Sequence, residues 1–217
     1  MMMKRNVDAV LFDLDGTLVD SARDIAASVN WVLGELGLPR HSEDEIQRFV
    51  GDGMKSLLTR AIGTDDPEHL KTSIKLFREH YRAHCLDTSR LYPGVTTVLD
   101  ALRGKPLGLV TNKPRAVSVH MMDALGIAPY FKVILGGEST PNKKPHPEPL
   151  LHALQQLGAR PQRSAMVGDH ANDIEAGKAA GMHTYAVTYG LTDRATLERA
   201  QPDLFLDHLE ELLHYIA

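Results

Sequence analysis

Cysteine is nearly missing from this chain: Cys85 is the single one among 217 residues. An internal disulfide and a cysteine-based metal site are both excluded, and a reducing, cytoplasmic setting is expected. Cys85 falls in a helical pattern with few signals of activation, so it reads as a structural thiol rather than a reactive one. Long apolar runs are missing too. No stretch approaches the roughly 18 apolar residues of a spanning helix, so no membrane partner is expected. The early run VDAVLF is too short and too acidic for a signal peptide. Positive charge is not in excess: the formal net charge is −4. Non-specific binding to nucleic acid needs a basic face, so no nucleic-acid partner is expected. The phosphate loop GxxxxGK[ST] does not occur, which disfavours a nucleotide triphosphatase of that type. Histidines are scattered, with no HExxH and no zinc spacing.

What is present fits an ordinary globular protein, 43% apolar and 24% charged. The length suits one large domain, or one core with a small insert. Short apolar runs at 7–12, 107–111, 132–135, 164–168, 184–188 and 203–206 read as buried strands. Helical patterns at 114–125, 148–157, 172–180 and 209–216 alternate with them. That alternation predicts an α/β fold: a Rossmann-like, doubly wound parallel sheet. One region breaks the rhythm. Between about 21 and 90 the pattern is helical only. Asp20 or Ser21 is expected to cap a helix carrying Ile25, Val29, Val32, Leu33 and Leu36. Ser42 and Glu45 form a capping box, and helices are expected at 53–62 and 67–86. The division is therefore a core of residues 1–17 and 89–217 with an inserted α-helical cap domain, 18–88.

Ligands in open α/β sheets bind beyond the carboxyl ends of the strands. The first strand ends in Asp13, Asp15, Gly16 and Thr17. The second ends in Thr111, Asn112 and Lys113, and the fourth in Gly168, Asp169 and Asp173. Beyond the third lies NKKPHPEP, with Lys143 and Lys144. This topology gathers carboxylates, hydroxyls and ammoniums on one rim. Hard carboxylate oxygens suit Mg²⁺, and lysine and hydroxyl groups beside it suit a phosphoryl group. A carboxylate that attacks phosphorus would give an aspartyl-phosphate. A second carboxyl could then protonate the leaving alkoxide and activate water.

FDLDGTLVDS, LVTNK, KKPHPEP and VGDHANDIEAGKAAG resemble the four ordered motifs of the haloacid dehalogenase superfamily. The likeness is greatest to its phosphoglycolate phosphatase-like branch and covers essentially the whole chain. The resemblance implies Asp13 as nucleophile and Mg²⁺ ligand, and Asp15 as general acid/base whose backbone carbonyl faces the metal. It implies Thr111 and Asn112 as phosphoryl binders, Lys144 as the neutralising cation, and Asp169 and Asp173 at the metal. The cap segment FVGDGMKSLLTRA resembles the family's specificity segment. There Gly51 and Gly53 would let backbone approach a ligand, and Arg60 could hold a substrate carboxylate. His170 departs from the Ser or Thr often found after the fourth motif's Gly-Asp.

The resulting expectation is a Mg²⁺-dependent phosphatase acting on a small phosphorylated metabolite. 2-Phosphoglycolate is the favoured substrate and an aspartyl-phosphate the intermediate. A sugar phosphate, pyrophosphate or nucleotide is the alternative substrate, and a phosphoglucomutase-like transferase the alternative reaction. A monomer or homodimer is expected.

Overall fold

A computed structural model describes residues 4–217. Six parallel strands form one sheet: β1 (Ala9–Phe12), β4 (Leu107–Val110), β5 (Val133–Leu135), β6 (Ser164–Gly168), β7 (His183–Val187) and β8 (Leu204–Leu206). Their order is β5-β4-β1-β6-β7-β8. The chain runs outward from β1 in both directions, as the sequence predicts for a doubly wound sheet. β1 shows why the sheet is covered on both faces. Its side chains alternate: Ala9 and Leu11 pack with α7 (Glu148–Leu157) and α8 (Ala171–Ala179). Val10 and Phe12 join the opposite core with α5 (Val95–Ala101), α6 (Arg115–Ala124) and α10 (Leu212–Tyr215). All four are fully buried, so the run is continuously apolar rather than alternating.

A two-residue antiparallel ribbon, not expected from the sequence, brackets the helix-only stretch. β2 (Val19–Asp20) pairs with β3 (Arg90–Leu91). Between its arms lie α1 (Ala22–Glu35), α2 (Glu43–Gln47), α3 (Met54–Ile62) and α4 (Pro67–His84). These four helices are called the cap below. Helix α1 presents Ile25, Val29, Val32 and Leu33 to the same core as Leu70, Phe77 and Tyr81 of α4. The capping box at Ser42 and Glu45 is formed.

Two expectations about the cap entrance need correction. Ser21 is the N-cap residue of α1, but its side chain makes no cap bond; its hydroxyl donates instead to Asp15 Oδ1 at 2.5 Å. Asp20 does not cap either, because it pairs with Arg90 at 3.0 Å across the ribbon. Helix α5 and α9 (Arg194–Ala200) were not expected from the sequence. Among the described residues no helix is long and apolar enough to cross a membrane.

Candidate active site

The carboxyl ends of β1, β4 and β6 converge, as the strand order requires, because β1 lies between the other two. Asp13 follows β1 directly. Its backbone N–H continues the ladder to Val167 at 3.0 Å, so the side chain projects from a fixed strand end. The turn after it is tight. Gly16 has φ +81°, and a Cβ there would lie 2.1 Å from an Asp169 oxygen. Glycine at this position thus lets the β1 loop meet the β6 end. Thr17 Oγ1 then donates to Asp169 Oδ1 at 2.8 Å, while Leu191 N–H donates to Oδ2 at 2.8 Å. Both oxygens of Asp169 are held before any ligand arrives.

Lys144 is buried beneath this rim. Its Nζ donates to Asp173 Oδ1 at 2.6 Å and to Val110 O at 2.7 Å. It also lies 3.0 Å from Asp13 Oδ1. That contact pairs the charges but is off the line of a hydrogen bond, and among the described residues no other donor reaches this buried oxygen. Asp173 also acts on the backbone. Its Oδ2 accepts from His170 N–H at 3.0 Å, closing the N-terminus of α8.

One oxygen from each of Asp13, Asp169 and Asp173 lies within 4.8 Å of the others. Of these three carboxylates the Lys144 ammonium pairs with two, Asp13 and Asp173. Burial pushes the Asp13 carboxyl above its usual range, with Asp173 adding to the effect and Lys144 opposing it. Burial, then Asp13 and Asp173, pushes Asp169 well above. Burial alone would lower Lys144, but Asp13 and Asp173 together hold it above its ordinary value. Negative charge is in excess, the donors are hard oxygens, and one of them is unpartnered. These residues fit a divalent cation.

Asp15 lies outside that cluster. Lys113 Nζ donates to both of its oxygens at 2.9 Å. The same ammonium donates to Tyr81 OH of α4 at 2.7 Å and sits 4.5 Å from the Tyr81 ring centroid. Burial, then the Asp15 charge, pushes the Tyr81 hydroxyl well above its usual range. Lys113 and Tyr81 therefore tie the cap to Asp15. The sequence placed Lys113 on the rim without a role. Its signal was adjacency to Thr111 and Asn112; Tyr81 was not singled out within the helix expected at 67–86.

Thr111 is buried and lines the cavity, with its hydroxyl accepting from Lys113 N–H at 3.2 Å. The Asn112 side chain ties three segments. Its Nδ2 donates to Gly51 O and to Lys144 O, each at 2.9 Å, and its Oδ1 accepts from Lys144 N–H at 3.1 Å. Gly51 and Gly53 line the cavity and also bring backbone close to the core. A Cβ on Gly51, at φ +121°, would lie 2.4 Å from His170 Nε2. On Gly53 it would lie 3.0 Å from Asn112 O. Arg60 is a correction. It does not line the cavity, because its guanidinium is engaged elsewhere, by Phe49 O at 3.0 Å and by Asp52. Asp52 in turn accepts from Asn172 Nδ2 at 2.7 Å. Arg60 thus braces the Gly51–Gly53 loop against the core.

The cavity above the rim measures about 660 Å³. Asp13, Asp15, Thr111 and Asp169 line its core side, and residues of α1, α3 and α4 line the cap side.

Residues 10–187 match the sequence profile of the haloacid dehalogenase-like hydrolases. The chain belongs to that family. It is 42% identical over 220 residues to a phosphoglycolate phosphatase of Chromobacterium violaceum, covering 97% of each chain. It is 38% identical over 231 residues to the phosphoglycolate phosphatase of Escherichia coli K12, covering 96% of this chain and 92% of that one. Its fold matches the crystal structure of a predicted phosphoglycolate phosphatase from Haemophilus somnus. There the TM-score is 0.91 and identity 34%, with 96% of this chain and 97% of that one covered. In this hydrolase the strand-end carboxylates of the core face a cavity beneath the cap.

Proposed function

We propose that this hydrolase is a Mg²⁺-dependent phosphatase that cleaves 2-phosphoglycolate through an aspartyl-phosphate on Asp13. The observation that carries the reading is the placement of Asp13. Its carboxylate stands at a strand end inside the cavity, against the buried Lys144 and the Asp169–Asp173 pair, with Asp15 two residues on. The names of the relatives support the choice of substrate.

Asp13, Asp169 and Asp173, with the Asp15 carbonyl, would hold the cation. When bound, Mg²⁺ supplies positive charge to the phosphoryl oxygens and lowers the repulsion that an anionic nucleophile meets. The chain's own residues do the rest. An Asp13 carboxylate oxygen forms a bond to phosphorus while the bond from phosphorus to the glycolate oxygen breaks. Asp15, carrying a proton, delivers it to that departing oxygen. Water then attacks phosphorus, Asp15 takes a proton from it, and the bond to Asp13 breaks to release phosphate. Lys144 and the Thr111 hydroxyl stabilise charge on the transferring group. The cap excludes bulk water during the first transfer and releases product on opening. Free phosphate as product distinguishes this from a transferase, which would pass the phosphoryl group from Asp13 to another hydroxyl.

The test is phosphate release over a panel of 2-phosphoglycolate, hexose phosphates, pyrophosphate and nucleotides, with Mg²⁺, with EDTA and with Asp13→Asn. The expected result is the highest kcat/KM for 2-phosphoglycolate, abolished by EDTA. Asp13→Asn should lose about a thousandfold or more, as nucleophile removal does. A preference for another ester overturns the substrate. Turnover by Asp13→Asn above about a tenth of the wild-type rate overturns the nucleophile.

A further inference from the structure

On the cavity floor the buried cations Lys113 and Lys144 are already paired with carboxylates, and a further core-side cation, Lys143, is a single exposed ammonium. Arg60 is also occupied, by Asp52. The cap wall differs. Arg78 and Arg82 of α4 line the cavity, and neither has an ion-pair partner among the described residues. They are four residues apart, one helical turn, and therefore share a face. Phe77 and Tyr81, both buried, lie beside them on α4 and line the same cavity.

Tyr81 fixes where that face points. Its hydroxyl is held by the Lys113 ammonium that grips Asp15. The turns of α4 that carry Arg78 and Arg82 are thereby anchored to the rim through the lysine that holds Asp15. A small ester whose phosphoryl group sits at Asp13 must direct its other end away from the floor, toward this wall. The side chains of Arg78 and Arg82 remain accessible to solvent, so a ligand reaches them without rearrangement. A guanidinium offers a fork of donors that matches a carboxylate, more directionally than an ammonium does. Apolar neighbours such as Ile74 and Phe77 displace competing water and strengthen the pairing.

Building on the functional reading above, we infer that Arg78 and Arg82 form the subsite for the substrate carboxylate. They select esters that carry a second negative charge.

The experiment compares kcat/KM for 2-phosphoglycolate with that for 2-hydroxyethyl phosphate, in which an uncharged CH2OH replaces the carboxylate. It is run on the wild type, Arg78→Gln, Arg82→Gln, the double variant and Arg82→Lys, each checked for an unchanged melting temperature. The wild type should prefer the carboxylate ester. Each glutamine should cut that preference about tenfold, mainly through KM, and the pair should cut it more. Arg82→Lys should keep part of it, since charge is retained and the fork lost. A double variant that keeps the wild-type preference overturns the subsite while leaving the functional reading intact. A wild type that hydrolyses neither ester overturns both. A wild type that accepts both equally overturns the selection by charge.

Discussion

The floor of the cavity and its cap wall carry similar residue types under opposite rules. On the floor, each buried cation is matched: Lys144 to Asp13 and Asp173, Lys113 to both oxygens of Asp15. On the cap wall, Arg78 and Arg82 face the cavity beside apolar side chains and have no carboxylate partner among the described residues. A matched, buried network holds its geometry before substrate binds, which is what a reacting centre needs. Unmatched cations on a wall that carries no reacting atom are what a subsite for a charged ligand group needs. The proposed chemistry would thus reside in the core and the inferred selection in the cap, with Lys113, Tyr81 and Asn112 joining the two.

The sharpest way to break that contrast is to unmatch the floor. Lys144→Ala leaves Asp13 and Asp173 buried beside Asp169 with no cation. Without metal the cost should be about 3–5 kcal/mol, as for removal of one member of a buried ion pair. Urea denaturation with and without Mg²⁺ checks this, and Mg²⁺ should restore part of the loss. Activity should fall by about a hundredfold or more. Equal stability of variant and wild type in EDTA would show that the network is not matched in the sense described.

Next comes the join. Asn112→Ala removes the bonds to Gly51 O, Lys144 O and Lys144 N–H together. Loss of a side chain that ties the cap loop to the lysine loop should lower kcat/KM by about tenfold to a hundredfold. It should also destabilise by about 2 kcal/mol through the buried groups left unpaired. Steady-state kinetics beside thermal melts separate the two effects.

A smaller effect is expected where the chain leaves the cap. Asp24 is buried and accepts from Thr88 and Ser89, through both backbone and hydroxyl groups. Burial alone would raise its carboxyl, but these donors prevail and hold it below the ordinary 3.8. A depressed carboxyl contributes stability that is fully present above the unfolded value and is lost as pH falls through the folded one. Asp24→Asn should therefore cost about 2 kcal/mol at neutral pH. The gap from wild type should close only below about pH 4, where the unfolded carboxyl itself takes up a proton. Chemical denaturation at several pH values reads both. Smallest of all, Ser42→Ala removes the capping box of α2, far from the floor. It should cost about 1 kcal/mol with no change in kcat.

The same division explains what the sequence disclosed. Asp13, Thr111 and Asp169 were legible because each directly follows a short apolar run, and strand order alone brings those ends together. Asp173 and Lys144 carried less local signal, and their pairing at 2.6 Å is purely tertiary. The ribbon of β2 and β3 was not legible, since two residues per strand show no period. Ser21 resembled a helix cap, yet its hydroxyl turned to Asp15, a partner that only the fold supplies. Arg60 was misread for the same reason. Its position in the last turn of α3 permits a cavity-facing or a loop-bracing conformation, and Asp52 decides for the second. Arg78 and Arg82 were not singled out in the sequence, where this stretch shows only a helical pattern. Their place on the cavity wall is tertiary, and the docking of Tyr81 on Lys113 ties the same helix to the floor.

The central claim is that Asp13 becomes covalently phosphorylated. The most direct measurement is acid quench within the first turnover, with 2-phosphoglycolate and Mg²⁺, followed by mass analysis of the peptide that spans Asp13. The predicted result is one added phosphoryl group on Asp13, rising before free phosphate, decaying with it, and missing in Asp13→Asn. Phosphate released at the full rate with no label on Asp13 at any time would contradict it.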